Sequence, residues 1–268
     1  MGDMTLSGAR LRRELTSLGV RRGTVLLTHC SMRAIGRVEG GATTLLDALL
    51  AALGEGGTLA APAQSLSKSM TSAETRRTLA GLCPSARGRY LESVPDFDPA
   101  TTPTEAMGAL AEAIRTHAGS RRSGHPTTSF TAIGRRAEEL TASHPHDRLL
   151  GDDSPLGWMY RQGAFVLLLG VGFDKCTAFH LGEDVSVSPS RSYRFKVDGG
   201  WREVRGARDY DDSDFAELGA RFEIEHQDEV ASGTVGSAAC RLFPLAAAAD
   251  FAAKWLPKTR RNAGPLIE

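Results

Sequence analysis

Apolar residues recur along this chain in two rhythms, and each predicts a kind of element. Leu11, Leu15 and Leu18 repeat at helical spacing, and Gly19 after them reads as a helix stop. Leu45, Leu46, Leu49, Leu50 and Leu53 give Ala42–Leu53 an apolar helix side. Continuous apolar runs predict buried strands at Thr24–Thr28, Gly57–Ala61 and, most clearly, Phe165–Val171, with a further strand at Thr127–Ile133. Helical segments are predicted over Arg135–Ser143, Cys176–Asp184, Asp212–Gly219 and Val235–Trp255, the last broken at Pro244. Thr102-Pro103-Thr104-Glu105 has the grammar of a helix start running to about His117, and Ser154-Pro155 opens another short helix. Ser192–Val197 and Trp201–Val204, joined through Asp198-Gly199-Gly200, read as a hairpin. Residues 62–101, rich in Ser, Thr, Arg and Pro, read as a long irregular loop, the kind that is functional or mobile. Strands and helices alternate throughout without repeats. The expected fold is therefore α/β: one domain over residues 1–268, a mixed sheet flanked by helices with an added antiparallel hairpin.

Composition narrows the function classes. Lysine plus arginine total 32 and the acids also total 32, so the net charge is zero, which argues against a nucleic-acid binder or a polybasic membrane binder. The longest apolar stretch, Ala164–Phe173, is too short to span a membrane. Nothing N-terminal reads as a signal peptide, and four scattered cysteines form no C-x-x-C pair, so a reduced, cytoplasmic location is expected. The zero total conceals a dipole: residues 1–40 hold seven arginines against three acids, and residues 198–229 hold eleven acids against four arginines. Such asymmetry is a cue to charged partners or merely to variable solvated faces.

Four groups of residues could carry chemistry. The loop Ser31–Gly41 contains Arg33, Arg37 and three glycines and feeds a helix, an arrangement that suits a pyrophosphate; it also suits an ordinary strand–helix connection. His180 and Glu183 lie one turn apart, so the carboxylate can orient the imidazole as a general base, form a structural ion pair, or join it as a metal ligand. The run Arg121-Arg122-Ser123-x-His125-Pro126-x-x-Ser129-Phe130 enters a strand and could hold phosphates or simply satisfy a turn. The acids of 209–229 could offer one to three carboxylates to a polycation. There is no G-x-S-x-G elbow, and His29 and Cys30, as strand neighbours, point to opposite faces, which disfavours a thiol nucleophile.

Taken in order, these motifs resemble a known family. His29-Cys30-Ser31-Met32-Arg33-Ala34-Ile35-Gly36-Arg37-Val38-Glu39-Gly40-Gly41 is similar to the H-S-S-L-x-x-I-G-x-V-x-G-G segment of the aminoglycoside 3-N-acetyltransferases. So are Asp98-Pro99 with Thr102-Pro103-Thr104, Gly108 and Glu112, and the Arg122-Ser123-x-His125-Pro126 segment. Ser154-Pro155-Leu156, Leu168–Gly172 and the T-x-x-H-L-A-E box at Thr177–Glu183 complete a match over about residues 6–257. Cys30 stands where the family usually has Ser, and Gly182 where it usually has Ala; lower helix propensity at Gly182 would loosen the box.

The resemblance implies transfer of acetyl from acetyl-CoA to the 3-amino group of a 2-deoxystreptamine aminoglycoside, conferring antibiotic resistance, with no metal. On that reading His180 is the general base in a ternary complex, Glu183 its support and Thr177 a donor to the acetyl oxygen. Ser31, Ile35, Gly36, Arg37 and Val38, with Ser123, His125, Ser129 and Phe130, form the expected CoA cradle. Asp98 and Glu223, with Gln64 and Asp184, are the expected partners of drug ammonium groups. Acetyl transfer to another amine, a non-enzymatic CoA or polycation binder, and a metal hydrolase stand as alternatives. The sequence fixes no oligomeric state.

Overall fold

The computed structural model describes residues 5–185 and 190–262. Its elements run α1 (Gly8–Leu18), β1 (Val25–Cys30), α2 (Met32–Ile35), α3 (Gly41–Leu53), β2 (Thr58–Pro62), α4 (Ala73–Ala80), α5 (Pro84–Ser93) and α6 (Gly108–Thr116). They continue β3 (Arg121–Arg122), β4 (Phe130–Gly134), α7 (Ala137–Thr141), α8 (Pro155–Arg161), β5 (Phe165–Leu169), α9 (His180–Val185), β6 (Ser190–Val197) and β7 (Gly200–Arg208). The chain ends with α10 (Phe215–Glu225), β8 (Ala231–Val235), β9 (Ala238–Pro244) and α11 (Leu245–Asn262). No helix among the described residues is long and apolar enough to cross a membrane.

Seven strands form one mixed sheet in the order β3-β4-β2-β1-β5-β9-β8, with β1 parallel to both β2 and β5 and the other pairings antiparallel. Its central strands are buried on both faces, which is why they read as unbroken apolar runs. Successive residues alternate between two cores. Leu27, Ala60, Val166 and Leu168 join α8, α10 and α11 on one face. Leu26, Leu59, Leu167 and Leu169 join α1, α3 and α6 on the other.

The hairpin is a separate two-stranded sheet of β6 and β7. Its turn is Asp198-Gly199, both residues at positive φ, and Gly200 already belongs to β7. Gly19 caps α1 at φ 114°, and the Ser154 side chain accepts from the Leu156 N–H at the start of α8.

Three expectations are overturned. Residues 235–244 are not helical: β8 and β9 form a hairpin there and α11 begins after Pro244, because Ala238, Cys240 and Leu242 alternate inward against β5. Thr102–Glu105 does not start a helix. Glu105 instead accepts from Ser67, through both its N–H and its hydroxyl, and α6 begins at Gly108 after Ala106 at positive φ. Residues 62–101 are not irregular, since they carry α4, α5 and a short 3-10 turn at Leu66–Lys68. That segment supports the hairpin. Met70 N–H donates to the Arg194 carbonyl (2.8 Å), Gly199 N–H to Asp96 (2.7 Å) and Trp201 Nε1 to the Leu91 carbonyl (3.3 Å).

Beneath the hairpin, His125, His144 and His146 cluster with Phe195. Burial pushes His144 down to about 4 and holds His125 well below the usual imidazole range. Once unfolded, both imidazoles take up protons near pH 6.5. The unfolded chain therefore binds more protons below that pH, and acid favours it. Stability is expected to be intact above pH 6.5. From there to pH 4.5, before carboxylates titrate, it should fall by up to about 1.4 kcal/mol per histidine per pH unit. A urea-unfolding midpoint unchanged between pH 7.5 and 5 would contradict this.

Candidate active site

β1 is the topological switch point of the sheet: the chain leaves it for β2 on one side and later adds β5 on the other. Ligands of α/β sheets bind in the crevice beyond the carboxyl ends of strands at such a point. A cleft of about 720 Å³ lies there, lined by Thr28, His29 and Cys30 at the carboxyl end of β1 and Ser31 just beyond it, by Pro62 at the end of β2 and Gln64 beyond it, and by Val171, Asp174 and Lys175 after β5. Thr177, His180, Asp212 and Phe215 close one side, and Ala106–Ala111, including the first turn of α6, close another.

His180 opens α9, directly after a 3-10 turn at Thr177–Phe179, so Thr177 and His180 reach the same cleft. The imidazole side chain is 14% exposed. It stands against Phe215 (4.7 Å between centroids) and Tyr210 (5.2 Å), which limit its rotation. Its Nδ1 is hydrogen-bonded to Glu183, whose carboxylate is fully buried. The other Glu183 oxygen accepts from the Asp211 N–H (2.9 Å) and from Arg260 Nη1 (2.5 Å). A carboxylate held on three sides in this way fixes the ring's orientation and tautomer.

Two buried polar atoms of cleft-lining residues, Thr28 Oγ1 and His29 Nε2, have no hydrogen-bond partner among the described residues. Burial and the nearby His180 push His29 down to about 3, so it is a neutral imidazole. Burial and Cys240 push the Cys30 thiol up to about 12, which suppresses thiolate and speaks against a nucleophilic cysteine.

The structure thus brings together Thr177, His180, Glu183, Gln64 and Ser31. Most of the expected CoA cradle lies elsewhere. Ser123, His125, Ser129 and Phe130 are wholly buried. Ser123 Oγ accepts from the Phe130 N–H and meets His144 Nδ1 (both 2.9 Å). His125 Nδ1 accepts from the Thr127 and Thr128 N–H groups. Ser129 Oγ donates to the Ala63 carbonyl and accepts from Arg122 Nε. Arg122 in turn donates to the Thr102 carbonyl and Ser65 Oγ and lies over Phe97. This motif pins the 62–103 segment to the sheet. Ile35 is sealed in the core, and Gly36–Val38 are not among the residues lining the cleft: Leu6 N–H donates to the Arg37 carbonyl, and Leu6 bridges to Val38.

Two expected drug contacts are also displaced. Asp98 is exposed outside the cleft and spends its carboxylate on the Ala100 N–H and the Thr101 hydroxyl. Glu223 does not line the cleft and is paired with Arg241 (2.7 Å). The Asp184 side chain falls outside the described residues. The acids that do reach the cleft are Asp174 and Asp212, the latter from the expected acidic band.

Sequence reasoning missed His29, Lys175 and Arg260 as site residues. The signal for His29 was its place at the carboxyl end of a strand; Arg260, 77 residues from Glu183, had no local signal. Gly182 is explained differently from the expectation. A Cβ there would come within 2.5 Å of Ala252 Cβ and 2.6 Å of Ala253 N, so its absence lets α9 and α11 pack closely. Gly182→Ala is therefore expected to destabilise the protein by about 1–3 kcal/mol through overpacking, despite alanine's better helix propensity. A urea midpoint equal to or above the wild type's would refute the close-packing account.

Comparison with known proteins places the whole fold in one family. The aminoglycoside 3-N-acetyltransferase family pattern matches residues 27–257. The chain is 36% identical over 249 residues to the SPbeta prophage-derived aminoglycoside N(3')-acetyltransferase-like protein YokD of Bacillus subtilis (strain 168), covering 90% of this chain and 89% of that one. It is 34% identical over 292 residues to aminoglycoside N(3)-acetyltransferase VII of Streptomyces paromomycinus, covering 98% and 96%. The crystal structure of YokD superposes with a TM-score of 0.87 at 34% identity, over 98% of this chain and 97% of that one. AAC-IIIb in its binary complex with CoASH gives 0.79 at 28%, over 96% and 98%. AAC-VIa bound to sisomicin gives 0.78 at 30%, over 96% and 99%. This chain belongs to the aminoglycoside 3-N-acetyltransferase family.

Proposed function

We propose that the protein transfers acetyl from acetyl-CoA to the 3-amino group of a 2-deoxystreptamine aminoglycoside, with both reactants bound together and His180 as general base. The observation that carries this reading is the His180–Glu183 pair opening on the cleft at the strand ends, in a chain of this family. The relatives described with CoASH and with sisomicin support the choice of two substrates.

Acetyl-CoA supplies an activated thioester when bound. An aminoglycoside amine is largely protonated near neutral pH and must lose a proton as it attacks. His180 takes that proton at Nε2, because Nδ1 is engaged by Glu183. Thr177 donates its hydroxyl to the acetyl oxygen as negative charge gathers there. The groups at the cleft suited to the anionic co-substrate are Ser31, Arg33 and Lys175, in place of the Gly36–Val38 cradle. Asp174, Asp212 and Gln64 are those suited to drug ammonium groups. The orphaned Thr28 Oγ1 and His29 Nε2 fit a bound ligand with polar atoms at the cleft floor. No covalent enzyme intermediate is needed, since one cleft orients both reactants.

The test is thiol release from acetyl-CoA against a panel of aminoglycosides, followed by mass and NMR analysis of the product. A gain of one acetyl at the 3-amine supports the reading. Silence with every drug bearing a free 3-amine sinks it.

A further inference from the structure

We propose that Arg260 is a positioning residue of this site: from the last turns of α11 it clamps the far oxygen of Glu183 and so sets how readily His180 holds a proton. The geometry is that of a fork. Arg260 Nη1 donates to Glu183 Oε1 (2.5 Å), while Nε and Nη2 donate to the two oxygens of Asp214 (2.9 and 2.8 Å) and Nη2 also to the Asp211 carbonyl (2.7 Å). Such a planar fork is rigid once both carboxylates are engaged.

The need for a cation follows from the surroundings of the base. A general base that must take a proton from an ammonium has to be neutral first. Yet His180 rests on the buried carboxylate of Glu183, and Asp211, Asp212 and Asp214 lead into α10 beside it. All four carboxylates favour imidazolium. Across the cleft, β1 contributes His29 and the Cys30 thiol, both neutral, α2 contributes Arg33, and the exposed Asp174–Lys175 pair lies after β5. Tyr210 packs edge-on against the ring. Among the described residues, Arg260 is a cation bonded directly to the Glu183 carboxylate, and it also neutralises Asp214. It draws charge from the side of Glu183 opposite the imidazole. Gly182 brings α11 close enough to α9 for this contact.

The inference rests on the acetyl-transfer reading, but its central measurement does not. The His180 C2–H resonance, identified by its loss in His180→Asn, is titrated by NMR in the wild type and in Arg260→Gln. The midpoint is expected to rise by about one pH unit, tenfold in proton affinity, with Arg260→Lys recovering most of the shift. The acid limb of kcat/KM should move with it. A folded Arg260→Gln with an unmoved midpoint overturns the proposal and leaves Arg260 a simple tether for α11. Should Arg260→Gln not fold, Asp214→Asn serves. It leaves Arg260 to Glu183 alone and is expected to lower the midpoint by a few tenths of a pH unit, and an unmoved midpoint there is equally fatal. If the midpoint moves as expected while no aminoglycoside is acetylated, the function reading fails and the positioning role stands.

Discussion

His180→Ala is expected to lower kcat for aminoglycoside acetylation by about three orders of magnitude, within the range that a positioned general base contributes. The substitution removes the one ring that joins the Glu183 carboxylate to the cleft. It leaves the Glu183–Arg260 bond and the Glu183–Asp211 bond in place. Folding and CoA affinity should therefore change little, and calorimetric titration with CoA alongside the thiol-release assay separates binding from turnover. Undiminished turnover would remove His180 as the base.

Glu183→Ala is expected to damage both catalysis and the fold. Its carboxylate is fully buried and serves His180, the Asp211 N–H and Arg260 together. Losing one member of a buried ion pair costs about 3–5 kcal/mol, and the low end applies because Arg260 keeps Asp214. The imidazole also loses the group that fixes its tautomer, so kcat should fall at least about a hundredfold. Urea unfolding and steady-state kinetics read the two losses separately. A variant as stable and as active as wild type would show that the carboxylate neither supports the network nor orients the base.

What the sequence made legible follows a physical divide. The central strands were readable because burial on both faces forces unbroken apolar runs, as in Phe165–Leu169. The β6–β7 hairpin was readable because Asp198-Gly199 tolerates the left-handed backbone its turn demands. Residues 238–243 were not, since an alanine-rich stretch carries helix propensity and only its place beside β5 makes it a strand. Thr102–Glu105 obeys the local rules of a helix start, but Ser67, distant in sequence, captures the Glu105 carboxylate.

The site divides in the same way. His180 and Glu183 were legible because they sit one helical turn apart. The Arg122–Phe130 motif was harder to read, because a distinctive sequence can record a folding requirement as well as a ligand, and here Ser123, His125 and Ser129 engage their polar atoms with the chain itself. Glu223, expected as a drug contact, is likewise engaged within the chain, by Arg241. Arg260 reaches the site only through the close packing of two helices, which no local pattern announces.

The strand order also governs when the molecule can be finished. β1 is made within the first 30 residues, but one of its edges is covered only by β5, through pairs such as Leu27 with Val166. β5 in turn awaits β9, and α1 awaits β8 and the turn after it, where Glu14 accepts from the Gly236 N–H (2.7 Å). During synthesis, then, the earliest strand and helix emerge long before the partners that shield them. Pairings so far apart in sequence are slow to form and leave apolar surface exposed meanwhile. The nascent chain carries an open sheet edge from β1 until β9 is made, and segments far apart in sequence close the structure together.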